Sequence, residues 1–117
     1  MQSSPAIPHP LPDALVELIA ERFKAFAEPM RIRLLDALRD GPASVQQLQE
    51  LSGASQQNVS KHLGVLLREG LVSRTKQGNL SIYAIADEEV LQLCEIVCGG
   101  LRRRMQELDG LLNDDRK

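Results

Sequence analysis

Tryptophan is missing from these 117 residues, and the aromatic complement stops at Phe23, Phe26 and Tyr83. Any core must therefore be aliphatic. No apolar run approaches the ~20 residues that a bilayer-spanning helix needs, so a transmembrane segment is excluded. The opening stretch, Met1 to Pro12, holds proline and serine but no basic or apolar block. It reads as a disordered arm and not as a signal peptide. Two cysteines without a secretory signal point to a reducing, cytoplasmic setting. The only histidines are His9 and His62, so no nucleophile–base–acid set can be assembled. A phosphate-cradling glycine loop is also absent, which argues against an enzyme. The net charge of −2 gives no global attraction to nucleic acid.

The charge is distributed unevenly, however. Between Ser55 and Asn79 four cations, Lys61, Arg68, Arg74 and Lys76, stand against the single carboxylate Glu69. Acidic residues collect elsewhere, at Glu17, Glu21 and Glu28 and from Asp87 to Glu95. A basic face on an acidic body suits a protein that meets DNA in one orientation.

The length allows one domain, residues 13–117. Leu15, Ile19, Phe23 and Phe26 recur at helical spacing, predicting a first helix that stops before Pro29. Pro29 suits the first turn of a second helix bearing Ile32, Leu35 and Leu38, closed by Gly41-Pro42. Ser44 and Gln47 form a capping box for a short third helix with Leu48 and Leu51 on its buried face, ended by Gly53. Ser55 is the next N-cap candidate. Its helix buries Val59, Leu63, Leu66 and Leu67 and ends at Gly70. Two strand-like runs follow, Leu71 to Thr75 and Leu80 to Ile85, joined by Lys76-Gln77-Gly78-Asn79, where glycine and asparagine tolerate positive φ. A long helix from about Asp87 to about Leu112 closes the chain. The fold class is mainly α with a β-hairpin wing, in the order α-α-α-α-β-β-α. Helices three and four are separated only by Gly53-Ala54, the short turn of a helix-turn-helix.

At 100° per residue, the apolar side of the fourth helix faces away from Gln57, Lys61, Gly64 and Arg68. Gln56 and Ser60 lie on one flank of that polar side, Asn58 and His62 on the other. Amides bond adenine, lysine reaches guanine acceptors, and serine bonds either. Their place in the first two turns matters, because that half of a recognition helix reaches base edges. Ser55 joins them at the helix start. His62, beside the buried face, suits packing or a phosphate contact better than base reading. Arg74, Lys76, Gln77 and Asn79 cluster at the hairpin tip, where phosphates or the minor groove are in reach. The competing reading is a solvated amphipathic helix and a soluble edge hairpin. A winged helix used only for protein contacts is a further alternative, although it would be expected to present apolar residues on the fourth helix.

These residues resemble the ArsR/SmtB family of winged-helix repressors. The resemblance is carried by Phe26 to Leu35, Ser55 to Leu63, Leu66 to Val72 and Gly78 to Tyr83, and extends from about Phe23 to about Leu112. It implies a homodimer built from the first and last helices, binding duplex DNA at an inverted repeat and released by an inducer. It also implies base reading by Gln56, Gln57, Ser60 and Lys61, with the hairpin as the wing. The family's thiol metal site on the third helix needs cysteines where this chain has Ser44 and Gln46. Its last-helix metal site finds Asp87 but then Glu89, Gly100 and Arg103. Neither familiar metal site is present, and no cofactor is expected.

Cys94 and Cys98 lie four apart on the last helix, on one face shared with Leu91, Leu101 and Met105. That stripe is expected to meet its symmetry mate. Two readings stay open for the pair. Free cysteine is a small hydrophobe common in interfaces, and paired thiols can also bind soft metals or be oxidised as a sensor. The run Arg102 to Arg104 reads as a solvated face.

Overall fold

A computed structural model describes residues 6–114. The first five residues of the expected arm, and 115–117 at the other end, lie outside it. Residues 6–12 enter no helix or strand. Helix α1 (Asp13–Phe26) starts after Pro12 and places Asp13 in its first turn, where a carboxylate meets the positive end of the helix dipole. Helix α2 (Pro29–Leu38) has Pro29 at its first position, where the missing N–H would be unpaired anyway. Its N-cap is Glu28, whose Oε2 accepts from the amides of Met30 at 2.9 Å and Arg31 at 3.2 Å.

The capping box forms as the spacing predicts. Ser44 Oγ accepts from the amide of Gln47, and Gln47 Oε1 accepts from that of Ser44, opening helix α3 (Val45–Ser52). Gly53 closes this helix at φ 73°, a left-handed conformation that side chains with a Cβ resist. Helix α4 (Gln56–Arg68) follows at once, capped by Ser55, whose Oγ accepts from the amide of Asn58 at 3.2 Å. The last helix, α5 (Glu88–Asp114), runs 27 residues, or about 40 Å at 1.5 Å per residue.

Three strands are present. Strand β1 (Ala43–Ser44), β2 (Val72–Gln77) and β3 (Leu80–Ile85) form an antiparallel sheet in the order β1-β3-β2. Strand β1 was not expected from the sequence, because two residues are too few to show an alternating pattern. Strand β2 reaches Gln77, so Lys76 and Gln77 pair with Ser81 and Leu80 and the turn shrinks to Gly78-Asn79. Only Gly78 takes positive φ, at 62°, and Asn79 does not. The backbone freedom expected of both residues is therefore carried by the glycine alone.

The core is aliphatic, as expected. Leu34, Leu48, Val59, Leu63, Leu66 and Leu71 are fully buried, with Leu35, Leu38, Val72 and Tyr83 nearly so. Each such leucine contributes about 1.5–3 kcal/mol through burial. Three positions expected on buried faces are open: Phe23, Ile32 and Leu51 are 50%, 45% and 66% exposed. In the eight-residue α3 only Leu48 is buried, and the helix ends one residue after Leu51. Phe23 and Ile32 lie on α1 and α2, which present apolar side chains that this chain does not cover. Helix α5 is the extreme case. Val90 is buried, while Ile96, Val97, Leu101, Met105, Leu108, Leu111 and Leu112 are about half exposed or more. No helix among the described residues is long and apolar enough to cross a membrane.

Candidate nucleic-acid interface

Helix α4 is held from beneath by Val59, Leu63 and Leu66, all fully buried. That packing turns Gln56, Gln57, Ser60, Lys61 and Arg68 outward, with Asn58 and Gly64 at the edge, half-buried. Four exposed side chains in the first two turns, two amides, a hydroxyl and an ammonium, make a surface rich in directional donors and acceptors. Such a surface matches the hydrogen-bonding code of the major groove. A Cβ added at Gly64 would meet only the flexible Arg68 guanidinium, at 3.7 Å. The chain's own packing therefore does not require glycine there.

His62 departs from its neighbours. It is buried, and its Nδ1 lies 3.1 Å from Nη1 of Arg31 and 3.7 Å from Oε2 of Glu28. Its expected place among the DNA-facing residues is corrected on this ground: one turn before Leu66, the ring falls on the inward edge of α4 and finds polar partners on α2. This burial favours packing over base reading for His62.

The hairpin tip divides into two faces. Arg74 and Lys76, two apart on β2, share one face, and Gln77 points to the other, since side chains alternate along a strand. All three are exposed, as is Asn79 in the turn. A cleft of about 610 Å³ joins this tip to the helix-turn-helix, lined by Gln56, Asn79 and Ser81 together with Gln46, Gln49 and Glu50 of α3. Gln46 and Gln49 were not among the predicted contacts. The signal was available in the amides Gln46, Gln47 and Gln49 that surround Leu48 on α3.

The thiols lie on α5 beside α2. Cys94 is half-buried and Cys98 exposed. With Leu91, both line a groove of about 490 Å³ between α2 and α5, opposite Ile32, Leu35 and Asp36 and beside Arg39 and Arg102. The stripe thus splits. Its first half turns toward α2 of the same chain, while Leu101 and Met105, further along α5, face outward. Arg39 reaches Glu95 across the groove at 3.6 Å. Asp87 is engaged at the start of α5, where Oδ1 accepts from the amide of Glu89 at 3.0 Å and Oδ2 lies 3.6 Å from Arg22.

Comparison with known proteins agrees with this architecture. A family described as a helix-turn-helix domain matches residues 26–75. The chain is 36% identical over 103 residues to Rv0081, an uncharacterized HTH-type transcriptional regulator of Mycobacterium tuberculosis, covering 87% of this chain and 90% of the relative. The crystal structure of Rv0081 superposes with a TM-score of 0.74, covering 82% of this chain and 97% of the other. The M. tuberculosis HTH-type transcriptional repressor SmtB is 29% identical over 89 residues, 76% of this chain and 66% of SmtB. A homodimeric winged helix-turn-helix DNA-binding domain from Mycobacterium bovis, Mb0332, is 27% identical with a TM-score of 0.72, covering 86% of this chain and 95% of that one. With the two-helix turn, the wing and these likenesses together, the chain belongs to the ArsR/SmtB family of winged helix-turn-helix transcriptional regulators.

Proposed function

We propose that this protein is a cytoplasmic transcriptional repressor, without catalytic activity, that binds an inverted-repeat operator as a homodimer. The observation that carries the reading is the outward polar face of α4 above an underside packed by Val59, Leu63 and Leu66. Gln56, Gln57, Ser60 and Lys61 are assigned to base edges, with Ser55 and Asn58 at the start of the helix. Arg74, Lys76, Gln77 and Asn79 are assigned to the backbone or minor groove. The exposed apolar residues of α1 and α5 support a dimer through the terminal helices, because a patch of that extent is unusual on a free monomer. In such a dimer the two α4 helices must stand one DNA turn apart, about 34–36 Å.

The experiment is selection from a pool of random duplexes by the purified full chain, followed by light scattering and a salt titration. An inverted repeat bound by a dimer in preference to random DNA is the expected result. A monomer at micromolar concentration without sequence preference would overturn the reading and favour a protein-docking module.

For the inducer we assign Cys94 and Cys98 as the receiving groups. The support is their position in a groove walled by α2, so that chemistry on the thiols would move α5 against the helix-turn-helix body. Replacing both with serine and titrating operator under oxidant, polysulfide and trivalent arsenic tests this. A response in the wild type alone supports the assignment, and equal behaviour of both proteins leaves the thiols as packing groups.

A further inference from the structure

The underside of α4 is apolar except at one point. Val59, Leu63 and Leu66 hold the helix by packing, a non-directional attraction that contributes no hydrogen bond to set its angle. His62 is different, with a side chain only 9% exposed and a polar contact that crosses to α2. Among the described residues, its contact with Arg31 is the sole hydrogen bond between a side chain of α4 and another element.

The chemistry of that contact can be assigned. A guanidinium only donates, so His62 Nδ1 must accept and the ring proton sits on Nε2. The approach of Glu28 Oε2 at 3.7 Å is then no ion pair, and that oxygen serves the amides of Met30 and Arg31 instead. Arg31 meanwhile spends its other donors on α1. Its Nε donates to the carbonyl of Ala25 and its Nη2 to that of Lys24, the latter at 3.1 Å. These carbonyls lie in the last turn of α1, beyond the reach of the regular i+4 amides, and that of Lys24 also accepts from the amide of Ala27 at 3.3 Å. One guanidinium therefore ties the end of α1, the start of α2 and the middle of α4.

We propose that Arg31 and His62 are positioning residues for DNA reading: their hydrogen bond fixes the rotation of α4 relative to α1. His62 directly follows Lys61 and lies one turn beyond Asn58, so a rotation at the ring carries every assigned base-reading side chain with it. Helix α1 carries part of the exposed apolar surface assigned to the dimer, so Arg31 also relates the recognition helix to the partner subunit. The inference rests on the DNA-binding reading above.

The test measures the ratio of affinities for the duplex that the wild type selects and for a random duplex of equal length. Thermal melting and the light-scattering mass are followed alongside. His62→Leu fills the site without an acceptor, and Arg31→Met removes the donors. Each should lower the ratio about tenfold, the scale of a missing charge-assisted hydrogen bond, with the dimer mass unchanged. His62→Asn, which offers an amide oxygen near the place of Nδ1, should hold the ratio within about threefold of wild type. A ratio unchanged in His62→Leu, or two affinities that fall together with the melting temperature, would reduce the bond to packing and overturn the proposal. If His62→Leu does not fold, Arg31→Lys replaces it, since an ammonium cannot serve both carbonyls and the ring. Its ratio must then fall while that of His62→Asn stays. A wild type without any preference overturns the DNA-binding reading and this proposal with it. A selective wild type with insensitive variants overturns the proposal alone.

Discussion

The helix-turn-helix body and the terminal helices are built from similar residues and meet different fates. In the body, spanning α2 to β3, each leucine of the main core finds cover within the chain, and seven side chains are essentially sealed. Along α1 and α5 the same residue types recur at helical spacing, yet Ala25 and Val90 are the buried residues there among those described. Amphipathic periodicity announces that a face is to be buried but not by what. The body answers to its own chain, and the terminal helices present a surface suited to a second one.

The sharpest way to break this contrast is to damage each region in turn. Leu63→Ala should destabilise the fold by about 2–5 kcal/mol through a cavity in the sealed core, measured by chemical denaturation. An effect below about 1 kcal/mol, outside the usual range for such a truncation, would mean that α4 is not anchored as described. Leu101→Glu on α5, which is 56% exposed, should leave the folded signal of a single chain nearly intact. It should instead weaken self-association, by an amount approaching the ~1.5–3 kcal/mol of a buried leucine on each side. Sedimentation across a concentration series reads this directly, and an unchanged mass would remove Leu101 from the proposed interface.

Within the body the comparison narrows to reading head against wing. Gln57→Ala or Lys61→Ala should erode sequence preference by about 1–3 kcal/mol each where the bonding is bidentate. Arg74→Ala or Lys76→Ala should weaken all duplexes alike and flatten the salt dependence by about one unit for each phosphate no longer neutralised. Identical salt slopes for wild type and wing variants would remove the wing from the interface. The smallest effect concerns Gly64. With only Arg68 near an added Cβ, Gly64→Ala should stabilise the free protein by about 0.5–1 kcal/mol through helix propensity. If the helix approaches the DNA backbone closely there, the same variant binds operator more weakly while it gains stability.

Much of the architecture is legible in short stretches of the chain. The capping box at Ser44 and Gln47, the cap at Ser55, Pro29 at the head of α2 and the stop at Gly53 are local devices. Their physics lies within four residues, so the sequence alone determined helices two to four and the turn between α3 and α4. Alternation and a glycine determined the hairpin in the same way, and the spacing of Val59, Leu63 and Leu66 determined which side of α4 would be free. Contacts between residues distant in the chain were decided only by the tertiary structure. The pairing of Ala43 with Tyr83 has no local signature, nor does the convergence of Gln56 and Asn79 on one cleft. His62 shows the limit best. Its position on the wheel placed it at the boundary between inside and outside, where propensity is silent. What drew it inward was a guanidinium 31 residues away, already held by the end of α1 and able to satisfy a buried ring nitrogen.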